Sequence, residues 1–231
     1  MTLKYRDVTL VARGLLVCGL LVYVLMVLGG CSGTAAQKAV VDTTPATPTD
    51  KTEAEYLADL NNKFENPQAH YQLARIYHKS QNWNKAEYHY NVALGFDPAN
   101  RAAQAGLVKM LADRGDKAKS EQEANGYIRQ AGISVKETLR LGWEFEQLGM
   151  DDYALRCYKQ AVAAAPDSDA ANKQIGMYYL NKGDSANAKQ YLQRSFELNP
   201  RQPDVAGALG RLGVVVQTPD IPKGPLEEKK K

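Results

Sequence analysis

The stretch DAANKQIGMYYLNKGDSANAKQYLQRSFELNPRQ, residues 169–202, contains two segments of helical character on either side of Gly183. Apolar residues recur at helical spacing in both segments, and Pro200 follows the second. Glycine commonly ends a helix, and proline cannot continue the interior of one. The stretch therefore predicts an αα-hairpin, in which two helices run antiparallel and pack against each other.

The same pattern recurs along most of the chain with a period of 34 residues. Successive segments start at Pro67, Arg101, Val135, Asp169 and Pro203, without insertions between them. Position 8 of each segment is small or β-branched: Ala74, Val108, Gly142, Gly176 and Gly210. Position 32 is Pro98, Gly132, Pro166 and Pro200 in the four complete segments. A fixed period kept over four units predicts stacked hairpins that share one continuous core.

A small residue at position 8 lets the first helix of a hairpin approach the second. We expect it to meet the small residue at position 20, which is Ala86, Ser120, Ala154 and Ala188 in turn. Larger residues at position 24, such as Tyr90, Tyr158 and Leu192, would fill the groove between the two helices. The second segment departs most from the pattern in its second half, at Ser120, Ala124 and Gly132.

This pattern resembles the tetratricopeptide repeat (TPR). The resemblance covers residues 67–213, as repeats 67–100, 101–134, 135–168 and 169–202 and a partial repeat 203–213. It implies an all-α fold, a right-handed α-solenoid of helical hairpins. Residues 52–66 are predicted to add an N-terminal capping helix (Glu53–Phe64), and Asp204–Gly213 a final helix over the last repeat.

The N-terminus has the layout of a secretory signal. Three cations, Lys4, Arg6 and Arg13, precede the uncharged residues 14–30. As a helix this run would extend roughly 25 Å, slightly less than the ~30 Å bilayer core. Residues 28–31, LGGC, resemble the lipobox of bacterial lipoproteins, which predicts a signal peptide at 1–30 and lipidation of Cys31. The alternative is an uncleaved N-terminal transmembrane anchor with an extracytoplasmic domain.

The resemblance to lipoproteins also bears on location. An aspartate after the lipidated cysteine commonly retains such proteins in the inner membrane, and Ser32 stands there instead. The expected location is therefore the outer membrane, facing the periplasm, in a host that has one. Residues 31–51, rich in Thr, Ala and Pro, are predicted to form a flexible linker, and residues 214–231 a disordered tail.

Charge and cysteine content limit the possible functions. Removal of residues 1–30 lowers the formal net charge from +3 to +1, which gives no support to a nucleic-acid partner. Beyond Cys18 in the apolar run and Cys31, only Cys157 remains, so it has no partner for an intramolecular disulfide. We expect Cys157 to pack between helices as a small apolar residue.

The sequence contains no recognisable reaction centre. It has no glycine-rich phosphate loop, no CxxC pair and no HExxH motif. Its three histidines, His70, His78 and His89, fall within one repeat without an evident further ligand, so we expect them to be exposed or half-packed. The sequence therefore predicts neither an enzyme nor a metal site nor a cofactor.

The TPR resemblance implies instead a concave groove, lined by the first helix of each repeat, that binds protein or peptide segments. The positions that face such a groove are Tyr71, Arg75, His78, Lys109, Leu139, Trp143, Lys173, Met177, Leu180 and Arg211. They predict an apolar centre with basic flanks that suits an amphipathic or extended partner with acidic groups. The alternative for Trp143 is packing against neighbouring helices.

Together these features predict a non-catalytic, lipid-anchored scaffold for protein or peptide partners in the cell envelope. A lipid anchor followed by a body of repeats resembles the pilotins of type IV and tight-adherence pili, which implies a role in pilus or secretin assembly. The alternative is an adaptor that regulates cell-wall enzymes or takes part in envelope quality control. The sequence defines neither the partner nor the oligomeric state.

Overall fold

The computed structural model describes residues 51–217, which form ten helices and no strand. The predicted signal peptide, Cys31, the linker up to residue 50 and the tail from residue 218 lie outside these residues. Among the described helices, none combines the length and the apolar character that a bilayer crossing requires.

The ten helices follow one another through short turns. They are α1 (Glu53–Asn62), α2 (Pro67–Lys79), α3 (Trp83–Phe96), α4 (Arg101–Arg114), α5 (Lys117–Ala131), α6 (Val135–Gln147), α7 (Asp151–Ala164), α8 (Asp169–Asn181), α9 (Ser185–Leu198) and α10 (Pro203–Arg211). The two end helices finish at Asn62 and Arg211, slightly earlier than the expected Phe64 and Gly213.

The helices pair as the repeat period predicts. Hairpins form between α2 and α3, α4 and α5, α6 and α7, and α8 and α9, and the first helices α2, α4, α6 and α8 contact one another in succession. The end helices α1 and α10 pack on α2 and α9. The described residues thus form the all-α, TPR-like solenoid of helical hairpins expected from the sequence.

Left-handed residues at position 15 separate the two helices of each hairpin. Gly115, Gly149 and Gly183 have φ of 95°, 69° and 78°, a region that glycine enters without steric cost. In the first repeat Gln81 takes this conformation, with φ of 59°. Glycine is therefore preferred at this turn but not required.

The glycines at position 8 allow the closest helix approach in the hairpins. A Cβ on Gly142 would lie 2.7 Å from Tyr158 Cε1 and 2.9 Å from Cys157 Cβ. A Cβ on Gly176 would lie 2.8 Å from Leu192 Cγ. The nearest contact of each glycine is therefore with the large residue at position 24, which lies directly over it.

The second hairpin forms despite its degenerate sequence. Ser120, at position 20, is buried, and its hydroxyl donates a hydrogen bond to the carbonyl of Val108 at 2.8 Å. Ala124 is also fully buried. A buried hydroxyl that finds a backbone acceptor avoids the cost of an unsatisfied polar group, so serine is tolerated where the other repeats have alanine.

Two of the three histidines are buried, which makes the expectation of exposed or half-packed side chains wrong for them. His70 and His89 are 0% and 8% exposed, and their Nδ1 atoms are 2.9 Å apart. Because His70 Nε2 lies 3.0 Å from the Phe64 carbonyl, it donates there, and His70 Nδ1 accepts from His89. At most one of the two rings can be charged in this arrangement, because two charged rings would place one Nδ1–H group against the other.

The first prediction concerns the close approach at position 8. The substitution Gly142→Ala should lower the free energy of unfolding by roughly 1–3 kcal/mol, because its Cβ would overlap Tyr158. Gly210→Ala is the matched control, since a Cβ at this position 8 has no neighbour within 4 Å. Urea denaturation of both variants measures the difference, and equal stability would contradict this account of the packing.

The second prediction concerns pH. Burial, aided by neighbouring His70 and Lys85, lowers the pKa of His89 to about 4. The unfolded chain, with an ordinary histidine pKa near 6.5, therefore binds more protons than the folded chain between these values. The free energy of unfolding should fall by on the order of 2 kcal/mol between pH 7 and pH 4.

Urea denaturation across this pH range provides the measurement. His89→Gln can still donate to His70 but does not titrate, so its pH dependence should be shallower than that of the original chain. His78→Gln, which removes a histidine outside the buried pair, should keep the steep dependence. The same slope in both variants would contradict the assignment.

Candidate functional site

An open groove of about 1120 Å³ extends across the first helices of the first three repeats. Tyr71, Arg75 and His78 of α2 line one side, and Trp143 of α6 lines the other. Gly106 of α4 lies between them on the floor. These four predicted side chains, which are far apart in sequence, therefore face one shared space.

Aromatic rings form much of the groove wall. Tyr71 and His78 lie with ring centroids 6.3 Å from that of Tyr90, which is itself buried. A Cβ on Gly106 would lie 2.7 Å from Tyr90 Cε1, so the glycine lets this ring reach the groove floor from the preceding hairpin. Trp143 is 46% exposed, which excludes the alternative that it is a core residue.

One carboxylate of the groove has hydrogen-bond partners on both sides. Asp113 Oδ2 lies 3.0 Å from His78 Nε2, and Asp113 Oδ1 accepts a hydrogen bond from Lys109. Burial opposes ionisation of Asp113, but these two bonds hold its pKa below the usual value. Lys109, predicted as a basic flank, is therefore largely neutralised by its own helix.

Two other charged groups of the groove are less fully paired. Arg75 donates from Nη1 to Gln72 Oε1 at 2.9 Å, and its guanidinium lies 5.8 Å from the centroid of the Tyr71 ring. Glu144, half-buried beside Trp143, makes no ion pair or side-chain hydrogen bond within residues 51–217. Burial raises the pKa of Glu144, although nearby Arg140 opposes the shift.

The predicted apolar centre is divided between different parts of the solenoid. Leu139 packs against the core of the middle hairpins. Met177 and Leu180 pack against the terminal core, which includes Leu209 of α10. Trp143 is the member of this set that lines the groove. The terminal core against which Met177 and Leu180 pack is formed by residues of α9 and α10.

The remaining predicted cations also lie apart from the groove lining. Lys173 of α8 forms an ion pair with Asp204 of α10. Arg211 is exposed near the end of α10. Of the predicted cations, Arg75 lines the groove and forms no ion pair within residues 51–217, whereas Lys109 is paired with Asp113.

Sequence reasoning missed two acidic residues of the groove. Asp113 occupies position 13, one of the positions that the repeat pattern assigns to the concave face, so the sequence contained a signal for it. Glu144 occupies position 10, which carries no such signal, and it reaches the groove because it follows Trp143 on α6.

Other reactive residue types are held in structural positions. Cys157 is fully buried, as predicted, and burial raises the pKa of its thiol to about 12. Within residues 51–217, no group of three or more His, Cys, Asp or Glu side chains is arranged to hold a metal ion.

Comparison with protein families identifies one hairpin directly. Residues 173–202 match the tetratricopeptide repeat family. The matched segment is similar to a single tetratricopeptide repeat. It comprises most of α8 and all of α9, the hairpin in which Gly176 contacts Leu192. The fold of the other hairpins follows the same TPR plan.

Several solved structures resemble the chain at low identity. Crystal structures of MamA share 16% identity over 63% of this chain and 80% of theirs, with a TM-score of 0.38. Pseudomonas aeruginosa PilF shares 21% over 70% of this chain and 69% of its own, with a TM-score of 0.36. YrrB, described as a TPR protein with an unusual peptide-binding site, shares 17% over 70% of this chain and 83% of its own, with a TM-score of 0.37. These likenesses are too distant to support an inference about function, and no curated protein matches the chain.

Proposed function

We propose that the chain is a non-catalytic scaffold that binds a segment of a protein partner in the groove formed by α2, α4 and α6. The observation that carries this proposal is the 46% exposed Trp143, which faces Tyr71 across an open groove of about 1120 Å³. Tyrosine, tryptophan and arginine are enriched among residues that dominate binding energy at protein interfaces. Tyr71, Trp143 and Arg75 supply all three.

The shape of the groove favours an extended or helical segment over a compact small molecule. It crosses three repeats and stays open to solvent, so a long ligand can lie along it. Its walls combine aromatic rings with charges of both signs, which suits an amphipathic peptide.

The proposed location is the cell envelope, with the repeats tethered through lipid on Cys31. Support comes from the basic leader, the uncharged residues 14–30 and the LGGC motif. Residues 31–51 would then separate the lipid from α1 by up to several tens of ångströms when extended. We place the domain at the outer membrane facing the periplasm, where partners of an assembly system would meet it.

Within the envelope, we favour assistance to pilus or secretin assembly. The combination of a lipid anchor and a body of repeats, which resembles the pilotins, is the support for this role. Regulation of cell-wall enzymes or envelope quality control remains the second candidate, because the groove would suit a segment from either type of partner.

The third prediction tests the groove in living cells. Crosslinking and affinity capture of the tagged protein should recover a specific partner, and recovery should fall at least tenfold in a Tyr71→Ala, Trp143→Ala double variant. Tyr88→Ala is the matched control, because Tyr88 is 53% exposed on α3 and does not line the groove. Thermal melting should show that all variants remain folded.

The identity of the captured partner separates the two roles. A secretin or pilus component supports assembly, whereas a cell-wall hydrolase or synthase supports the adaptor role. Recovery that is unaffected by the double variant, or reduced equally by Tyr88→Ala, would contradict binding in this groove.

The fourth prediction concerns the anchor. Cells grown with labelled palmitate should incorporate label into the chain, and Cys31→Ser should abolish incorporation. The control is Cys157→Ser, which removes a buried thiol and should keep the label. An original chain that carries no label and retains residues 1–30 in its intact mass would instead indicate an uncleaved transmembrane anchor.

A further inference from the structure

Glu144 is a half-buried carboxylate in the groove for which residues 51–217 supply no ion pair and no side-chain hydrogen bond. The groove's other carboxylate, Asp113, is held by both His78 and Lys109. The two acids therefore differ: Asp113 is already satisfied within the chain, and Glu144 is not.

The aromatic rings near Glu144 indicate which kind of ligand group could bind its carboxylate. It follows Trp143 on α6 and faces the same groove as Tyr71 of α2. Burial raises the pKa of the Tyr71 hydroxyl; Arg75 opposes this shift and Glu144 adds to it, which is consistent with a carboxylate close enough to influence the ring. The groove thus combines a carboxylate without an ion pair and two partly exposed aromatic side chains, one from each side.

Such an arrangement fits a cationic side chain. A guanidinium or ammonium group is attracted to the face of an aromatic ring within about 6 Å, most strongly to tryptophan. A carboxylate beside the rings adds a charge-assisted hydrogen bond, which is stronger than one between neutral groups. Binding of a cation also removes the cost of leaving Glu144 partly desolvated without a partner.

We propose that the partner segment places a basic residue, arginine or lysine, against Glu144 between Tyr71 and Trp143. This inference rests on the proposed binding groove and specifies the chemistry of its ligand. It differs from the expectation of an acidic partner on basic flanks, because two of those flanking cations, Lys109 and Lys173, are paired with Asp113 and Asp204.

Arg75 makes a uniformly basic ligand unfavourable. Its guanidinium lies over Tyr71 and has no carboxylate partner among the described residues. A second cation beside it would be repelled, whereas an acidic group would be attracted. The ligand is therefore a segment of mixed charge, with its basic residue at Glu144.

The fifth prediction uses peptides selected from a random library displayed on phage against the full chain in detergent. The selected sequences should share an arginine or lysine, and Glu144→Gln should weaken binding of the synthetic peptides at least tenfold. Replacing the shared basic residue of the peptide by glutamine should weaken its binding to the original chain by the same factor. The same replacement should weaken binding to the Glu144→Gln variant little further. In addition, Glu144→Arg should bind a version in which that residue is glutamate.

Glu121→Arg provides the control for net charge, because Glu121 is exposed on α5 and does not line the groove. It should leave peptide affinity unchanged, and unaltered melting of all variants would show that the fold is intact.

The outcomes separate this inference from the proposed function. If the selected peptides depend on Trp143 but share no basic residue and bind Glu144→Gln normally, the inference is overturned. The groove then remains the binding site. Peptides that bind equally well after Tyr71→Ala and Trp143→Ala, or no selected peptides at all, would overturn the groove itself. A polylysine peptide that binds as tightly as the selected sequences would contradict the role given to Arg75.

Discussion

The structure depends on how closely two helices approach where a side chain is missing. At Gly142 and Gly176 the position-24 residue of the second helix lies almost on the backbone of the first, at distances where a Cβ would overlap it. Tyr158 and Leu192 are fully buried as a result. Because interiors are packed near the density of organic crystals, this contact fixes the register of the two helices. The contact occurs in two successive hairpins, α6–α7 and α8–α9, and the first helices α4, α6 and α8 contact one another in succession.

The groove lies across the first helices of successive repeats. The side chains that give it its chemical character stand at positions at which the repeats differ. The missing side chain at Gly106 leaves space that the Tyr90 ring of the preceding hairpin fills. Tyr71 of the first repeat and Trp143 of the third project into one volume. At the other end, Met177 and Leu180 are partly buried and pack against the terminal core, which includes Leu209 of α10. The candidate site is therefore confined to the first three repeats.

Much of the fold could be predicted from the sequence, because the period specifies both the turns and the packing positions. The position-15 glycines and the position-32 prolines indicate where helices end, and the structure agrees at Gly115 and Pro98. The groove was predictable only in part. Tyr71, Arg75, His78 and Trp143 follow from their place in the repeat, whereas the coverage of Met177 depends on where the capping helix lies.

Features that depend on local surroundings could not be predicted from periodicity. His70 and His89 form a buried pair because the carbonyl of Phe64 happens to lie within reach of His70. Likewise, Glu144 is unusual because no cation among residues 51–217 forms an ion pair with it, a fact that the repeat pattern does not encode. These two polar exceptions have different consequences: the histidine pair is satisfied internally, and Glu144 is open to a ligand.

The most direct measurement of the central claim is hydroxyl-radical footprinting of the chain with and without its captured partner. Trp143 and Tyr71 line the groove, while Tyr88 and Phe96 of α3 lie elsewhere and are 53% and 41% exposed. The account predicts that the partner strongly reduces oxidation of Trp143 and Tyr71 and leaves that of Tyr88 and Phe96 unchanged. Protection of Tyr88 and Phe96, together with oxidation of Trp143 at the same rate as in the chain without partner, would contradict binding in the groove.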